Sequence, residues 1–177
     1  MMFNTISIDN RGKGFNDAVV ETKKVAELNG LNDKQSLQLQ LCTEELLSMA
    51  RSITGEMEAS FWLDKDGDKY DLNMSTETVM DKDKRAMLIE ASSSRKNEAA
   101  STFLGMLRDI IEQAMVAESD KVIYELPDDI AADVTGRYIE NPEWDRYEQS
   151  ILRKLADDIR ISIQGGVVKM TVTKAVA

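Results

Sequence analysis

Histidine is absent from this 177-residue sequence, and cysteine occurs once, at position 42. Without histidine the chain lacks the commonest general base and the usual zinc ligand, and it cannot carry a phosphohistidine. Because one cysteine can form neither an internal disulfide nor a thiolate metal cluster, we interpret Cys42 as a small buried hydrophobic residue within a helix. Catalysis by this chain would have to use carboxylates, lysine or a bound metal.

Long apolar runs and a surplus of positive charge are missing as well. No segment approaches the roughly 20 apolar residues that span a bilayer, and residues 1–5 lack the basic and apolar stretch of a targeting signal. The formal net charge is −10, and a field of that sign repels nucleic-acid phosphates and anionic lipids. These features predict a cytoplasmic protein that binds neither nucleic acid nor membranes.

The composition that remains is typical of a folded domain. Apolar residues make up 42% of the chain and charged residues 31%, which argues against intrinsic disorder. A chain of this length can bury a sizeable core without disulfides or metals. We therefore expect one domain that spans residues 1–177.

Hydrophobic periodicity predicts a strand and a helix at the start of the chain. Ile6 and Ile8 alternate with polar residues and indicate an edge strand. After a glycine-containing turn at residues 11–14, Val20, Lys24 and Leu28 follow helical spacing up to a stop signal at residues 29–30.

A second helix and a β-hairpin come next. Asn32 and Gln35 have the spacing of a capping box, and a helical period continues from there to Gly55. Alternation over residues 59–63 and 70–74, with a turn at residues 64–68, predicts the hairpin. The apolar positions on the period of the helix are Leu39, Leu46, Met49 and Ile53.

Helices, a strand and a terminal hairpin are predicted for the second half. Residues 81–90 and 97–117 have helical spacing, and the residues 92–95 between them leave two helices or one bent helix open. Residues 121–126 have the pattern of a short buried strand. The acidic residues 128–142 are expected to wrap the surface. A last helix runs from Trp144 to Ile159 and leads into a hairpin that turns at Gly165 and Gly166.

This order of elements favours an α+β fold. Sequential hairpins with helices grouped between them predict a two-layer α/β sandwich, in which a mostly antiparallel mixed sheet carries helices on one face. A parallel, doubly wound sheet would instead need helices that alternate regularly with single strands.

Two stretches carry a family resemblance. Residues 39–50 read LQLCTEELLSMA, a leucine pattern that leads into a Glu-Glu pair, and residues 151–172 read ILRKLADDIRISIQGGVVKMTV, a helix followed by a hairpin. Both stretches resemble the histidine-kinase-like (GHKL) ATPases, in particular their anti-sigma-factor serine kinases. With the matching element order, the resemblance spans most of the chain and implies the GHKL ATPase fold.

The resemblance also implies roles for particular residues. In the family a helix Glu polarises the attacking group, and an Asn four residues later ligates the magnesium that bridges the ATP phosphates. Glu45 matches the catalytic Glu, and Glu44, Met49 and Asn73 fall at positions of the nucleotide pocket. ATP and magnesium are accordingly the cofactors that the resemblance suggests, and no residue is assigned as a metal ligand.

The sequence departs from the family at the residues that hold the nucleotide. Met49, or Ser48 if the register starts from Glu44, stands in place of the magnesium-binding Asn, and a thioether is a soft ligand that magnesium avoids. The stretch 72–77 lacks the family's adenine-binding Asp and its glycines, and the later glycine-rich box is missing too. We therefore predict a degenerate pocket on a GHKL scaffold.

Three functions remain open from the sequence. The favoured one is a regulatory protein-binding module with weak or no ATP turnover, whose partner is either another protein or a second copy of the chain. The second is an active ATP-dependent protein serine kinase of the anti-sigma-factor type with Glu45 as base. The third is a structural or small-molecule-binding α+β domain that shares only the shape.

Other motifs have simpler interpretations than a functional site. The carboxylates in residues 64–68 resemble the start of a calcium loop, but the later positions are wrong and a hairpin turn is favoured. Gly12 and Gly14 are taken as turn residues rather than a phosphate cup, and residues 92–96 as a linker rather than a phosphate contact. Trp144 and Tyr147 would serve either as partner anchors or as core residues.

Overall fold

The computed structural model of the chain describes residues 1–9, 11–55, 58–101, 103–123 and 151–176. Residues 151–155 are helical, and a 3-10 turn at Glu98–Ala100 precedes α4. The remaining elements, in chain order, are β1 Ile6–Ile8, α1 Phe15–Leu28, α2 Asp33–Thr54, β2 Ala59–Asp66, β3 Lys69–Glu77, α3 Lys82–Ala91, α4 Phe103–Ile123, β4 Asp158–Gln164 and β5 Val167–Ala175.

The strands form a sheet in the order β1-β2-β3-β5-β4, and every described pairing is antiparallel. Side chains alternate between the two faces of a sheet, and the register brings most of the apolar side chains of the strands to one face. One row across this face consists of Ile6, Phe61, Met74, Met170 and Ile161, and the next of Leu63, Leu72, Val172 and Ile159.

Helices cover the apolar face. Helix α2 packs against β3 and β5, and α1 packs against α2. The predicted capping box starts α2, because the Asn32 side chain accepts a hydrogen bond from the Gln35 N–H (3.0 Å) and the Gln35 side chain accepts one from the Asn32 N–H (2.9 Å). All four predicted apolar positions of α2 are buried. The predicted α+β two-layer sandwich is therefore confirmed.

The outer edge of β4 is covered by the segment between α3 and α4. The Ser93 N–H donates to the Ile159 carbonyl (2.8 Å), and the Ile159 N–H donates to the Ser93 hydroxyl (2.7 Å). Four residues along β4, the Asn97 amide bonds both the N–H (2.8 Å) and the carbonyl (2.9 Å) of Ile163. Unpaired edge strands invite association with other chains, so these bonds protect the sheet at β4.

The residues of α1 that are buried are not the ones whose spacing predicted the helix. Val20 and Leu28 are exposed, whereas Ala18, Thr22, Val25 and Ala26 are buried. Small side chains allow α1 to approach α2 closely, and the hydroxyls of Thr22 and Thr43 form a hydrogen bond of 2.8 Å within the contact. Tertiary packing, rather than side-chain hydrophobicity alone, therefore selects this face.

Three predicted boundaries are wrong. Residues 121–123, which were expected to begin a strand, are helical because α4 continues to Ile123. Helix extension is cooperative, so a formed helix readily adds residues at its end. The turn expected at residues 64–68 shrinks to two residues, because Asp66 still pairs with Lys69. The helix expected to reach Ile159 has ended by residue 155, and Ile159 belongs to β4.

Several predictions fall on residues outside the described ranges. These concern the acidic stretch 128–142, the positions of Trp144 and Tyr147, and the end of the strand expected at residues 121–126. Among the helices that the structure describes, none combines the length and hydrophobicity of a transmembrane span.

Candidate functional site

The α2 positions implied by the family resemblance lie in different environments. Glu44 is exposed and Glu45 is half-buried, whereas Met49 lies one turn further along the helix with only 1% of its surface exposed. Met49 belongs to the same buried apolar cluster as Met74 and Leu46. The position that would hold a magnesium ligand in the family is therefore occupied by a core side chain.

Asn73 lies on the other face of the sheet. Its neighbours Leu72 and Met74 belong to the apolar face that the helices cover, so alternation places Asn73 opposite. There it accepts a hydrogen bond from the Thr171 hydroxyl (2.8 Å) and donates one to the Asp64 carboxylate (3.2 Å). The structure consequently does not bring Asn73 together with Glu44, Glu45 and Met49.

Surface hollows occur elsewhere on the molecule. Three of them, with volumes near 500, 520 and 500 Å³, are lined by residues at the β1–β2 end of the sheet, at the β4–β5 turn and beside the β2–β3 turn. None of the four positions implied by the resemblance lines any of the three. In the part of the chain that the structure describes, no group of three or more metal-ligating side chains is suitably placed for an ion.

Charged groups on the polar face of the sheet cluster around Arg160 and leave a net negative charge. The Arg160 guanidinium lies 3.0 Å from a carboxylate oxygen of Asp71, 3.6 Å from one of Asp158 and 3.9 Å from one of Glu98. Thr173 also donates to the Asp71 carboxylate. Because three carboxylates surround Arg160, this cluster offers no excess positive charge for a phosphate.

Cys42 and the turn motifs have the structural roles that the sequence indicated. Cys42 is fully buried in α2, and burial raises the pKa of its thiol to about 11. Gly14 has a φ of +89°, and a β-carbon at this position would lie 2.1 Å from the Ser7 carbonyl oxygen. Gly14 therefore allows the start of α1 to pass close to β1. Residues 64–66 are paired in the β2–β3 hairpin.

Helix α4 has its polar side turned toward the rest of the protein. Asp109 accepts hydrogen bonds from the Arg85 guanidinium, from the Asn97 amide (2.7 Å) and from Gln113 (2.9 Å). Glu112 accepts one from the Gly165 N–H at the β4–β5 turn (3.0 Å). The side chains of Arg85 and Asp109 are only 12% and 13% exposed. Helix α4 is therefore attached through charged and polar groups.

The apolar side of α4 is turned toward solvent. Leu107, Ile110, Ile111 and Met115 are 49%, 58%, 53% and 64% exposed, and Ala114 between them is exposed as well. At 3.6 residues per turn these five side chains share one side of the helix. We call them the α4 apolar face. Contiguous exposed apolar patches mark interaction surfaces in soluble proteins.

The sequence predicted this helix but not its orientation. The spacing of Leu107, Ile110 and Ile111 is that of an ordinary amphipathic helix, whose apolar side would be expected in the core. The available signal was the pair Asp109 and Glu112 on the opposite side, which becomes informative only when their partners Arg85, Asn97 and Gly165 are known.

Comparison with known proteins supports the fold alone. No protein-family model matches the sequence, and no curated protein matches it. The chain is similar to one in a solved structure described as "The crystal structure of SiaB-SiaC complex from Pseudomonas aeruginosa", with a TM-score of 0.52 and 9% sequence identity. The similarity covers 99% of this chain and 91% of the other. At such low identity it establishes that the two chains share a fold.

Proposed function

We propose that residues 1–177 form a single cytoplasmic domain of the GHKL type that acts as a regulatory protein-binding module with little or no ATP turnover. Its partner is a protein, and its binding surfaces are helix surfaces. Glu44, Glu45, Met49 and Asn73 are the remnants of the family's nucleotide site in this proposal.

The observation that carries the proposal is the burial of two methionines where the family holds its nucleotide. Met49 and Met74 are each 1% exposed, and both belong to the core between α2 and the sheet. A thioether in this position offers magnesium no oxygen ligand, and magnesium is the ion that would bridge ATP to the protein. The packing that stabilises the sandwich thus uses the positions that ATP binding would need.

Two further observations support protein binding. The α4 apolar face exposes four large apolar side chains on a helix whose polar side is attached to the rest of the protein. The solved structure with a similar fold is, by its description, a complex of two proteins. Both agree with a scaffold whose helices contact other chains.

An active protein serine kinase is the competing function, and one observation favours it. Glu45 is half-buried on α2, one turn before Met49, which is the relation that the resemblance requires of a catalytic base and its neighbouring site. A kinase of this type would need to hold magnesium through groups other than Met49.

Isothermal titration of the chain with ATP and magnesium separates the two functions. The proposal predicts no saturable heat at micromolar concentrations, and micromolar affinity would contradict it. If radiolabelled phosphate were transferred to a serine of a partner, the kinase mechanism predicts that Glu45→Gln abolishes transfer while the circular dichroism spectrum is retained. Glu27→Gln, at an exposed carboxylate of α1, is the matched control and should leave transfer intact.

A further inference from the structure

One side chain joins the segment that covers β4 to helix α4. The Asn97 amide nitrogen donates to the Ile163 carbonyl (2.9 Å) and to the Asp109 carboxylate (2.7 Å). Its oxygen accepts from the N–H groups of Ile163 (2.8 Å) and Ala99 (3.2 Å). A side-chain amide has two donor hydrogens and two acceptor lone pairs, so the bonding capacity of this buried amide is fully used. The hydrogen bonds of the β4 edge and those of α4 therefore meet at the same side chain.

Asp109 holds Asn97 from the α4 side. Its carboxylate accepts hydrogen bonds from the Arg85 guanidinium of α3 as well as from the Asn97 amide. The side chains of Arg85 and Asp109 are both largely buried, and hydrogen bonds to a charged acceptor are stronger than those between neutral groups. Asp109 therefore fixes the Asn97 side chain in the position from which it bonds Ile163.

The stretch that precedes Asn97 has the properties of a segment that can open locally. Residues 93–96 are exposed. Arg95 has a φ of +54°, in the left-handed region that is unfavourable for a residue with a β-carbon. Beyond Asn97, the Glu98 carboxylate lies 3.9 Å from the Arg160 guanidinium, and both side chains are partly exposed. Segments with mainly exposed side chains are the ones that open without unfolding of the whole protein, and opening would also relieve the strain at Arg95.

We propose that residues 92–101 form a strap that opens and closes over the β4 edge as one unit, and that α4 holds this strap closed through Asp109. The strap bonds β4 at two points four residues apart, from Ser93 to Ile159 and from Asn97 to Ile163. The docking of α4 then determines whether this edge of the sheet is accessible. Such a strap would operate whether or not the domain binds ATP.

Opening of the strap would change the outer edge of the sheet. In the closed state the backbone N–H and carbonyl groups of Ile159 and Ile163 are bonded to strap residues. In the open state all four groups would lose these partners together, and unpaired groups along an edge strand can pair with another extended chain. Helix α4 would thus control, through Asp109 and Asn97, how much of the β4 edge faces solvent.

Hydrogen–deuterium exchange of the full chain, followed residue by residue by NMR, tests the strap. The reporters are the amides of Ile159 and Ile163, which point away from β5 and bond the strap. The amides of Arg160 and Ser162 lie between them on the same strand and point towards β5, because consecutive residues of a strand bond opposite neighbours. These two amides are the internal control for opening of the sheet itself.

Asp109→Ala removes the contact that holds the strap closed. The exchange rates of Ile159 and Ile163 should both rise by about tenfold or more, because Asn97 loses its bond to a charged acceptor, and the rates of the two control amides should change much less. The rise at Ile159 is decisive, since this residue is bonded to the far end of the strap. Glu27→Ala, at an exposed carboxylate of α1, is the matched control and should leave all four rates unchanged.

Ser93→Ala applies the same test from the other end of the strap and leaves the ion pair of Arg85 with Asp109 intact. Ser93 is exposed, so this variant is expected to fold. The Ile159 amide loses its own acceptor in this variant, so Ile163 is the informative reporter. A strap that opens as one unit predicts that the exchange rate of Ile163 rises as well.

Three results would overturn the strap. An unchanged rate at Ile159 in Asp109→Ala, or at Ile163 in Ser93→Ala, would show that the two contacts open independently. Equal acceleration of the reporter and control amides would show that the variants loosen the whole sheet instead. If Asp109→Ala does not fold, Ser93→Ala decides the question. Titration with ATP tests the proposed function and has no bearing on these rates, so each of the two proposals can fail without the other.

Discussion

Replacing Gly14 with alanine tests how closely the start of α1 approaches the edge of the sheet. Gly14 and Gly12 both have positive φ, +89° and +79°, so alanine at either position costs about 1 kcal/mol for the left-handed conformation. They differ in their surroundings. An alanine β-carbon would lie 2.1 Å from the Ser7 carbonyl oxygen at position 14 and would have no atom within 4 Å at position 12.

The contact at position 14 adds an overpacking term. A separation of 2.1 Å must grow by about 1 Å, and because the obstacle is backbone, β1 or the start of α1 has to move. Such shifts cost about 1–3 kcal/mol, so we expect Gly14→Ala to lower the free energy of unfolding by about 2–4 kcal/mol and Gly12→Ala by about 1 kcal/mol.

Urea unfolding followed by far-UV circular dichroism measures both variants on the same scale. A typical domain is stable by about 5–15 kcal/mol, so the difference between the two losses is well within reach. Equal losses for Gly14→Ala and Gly12→Ala would refute the reasoning, because only the contact with Ser7 distinguishes the two positions.

Three other substitutions or treatments have distinct expected results. Asn97→Ala should cost about 2–3 kcal/mol in urea unfolding, because it leaves the buried N–H and carbonyl of Ile163 without the bonds they make to the amide, and a loss below about 0.5 kcal/mol would contradict the role assigned to the segment that covers β4. Burial by itself raises the pKa of Asp109, but hydrogen bonds from Asn97, Arg85 and Gln113 and the charge of Arg85 outweigh it and lower that pKa below its usual value. Its contribution to stability is therefore fully present above about pH 4 and is lost as the pH falls through the lowered pKa. The difference in the free energy of unfolding between wild type and Asp109→Asn should accordingly shrink as the pH falls below about 4. A difference that does not change with pH would argue against the ion pair. Because burial raises the pKa of Cys42 to about 11, about 0.1% of this thiol is ionised at pH 8, and it should react with a thiol reagent only after denaturant is added; rapid reaction of the native protein would be inconsistent with the core described.

Most of the secondary structure could be predicted from the sequence because its signals are local. The capping box at Asn32 and Gln35, the stop at Gly55 and the alternation along β4 and β5 depend on residues a few positions apart. Errors arose where local signals run out. Residues 121–123 have the composition of a strand but continue α4, and β2 extends three residues into the predicted turn because β3 pairs with it.

For the predicted site residues too, local spacing could be predicted from the sequence but contacts between distant elements could not. Glu45 and Met49 could be placed on α2, one turn apart, from their spacing alone. The apolar period of α2 already favoured burial of Met49, but it could not predict that α2 packs on β3 and β5. Alternation within β3 already places Asn73 on the side opposite Leu72 and Met74. Its hydrogen-bond partners Asp64 and Thr171, however, follow from the pairing of β3 with β2 and β5, which no single strand reveals.

The sequence by itself determined the fold class, the acidic character of the surface and the exclusion of histidine and disulfide chemistry. These properties follow from the composition of the chain and from hydrophobic periods of two or about 3.6 residues, which can be recognised in short segments. Only the tertiary structure decided that Met49 and Met74 meet in one core and that α4 turns its apolar face outward. Both depend on contacts between residues far apart in sequence, such as the ion pair of Arg85 with Asp109. An amphipathic pattern indicates that a helix has an apolar and a polar side, but it does not indicate which side packs against the rest of the protein.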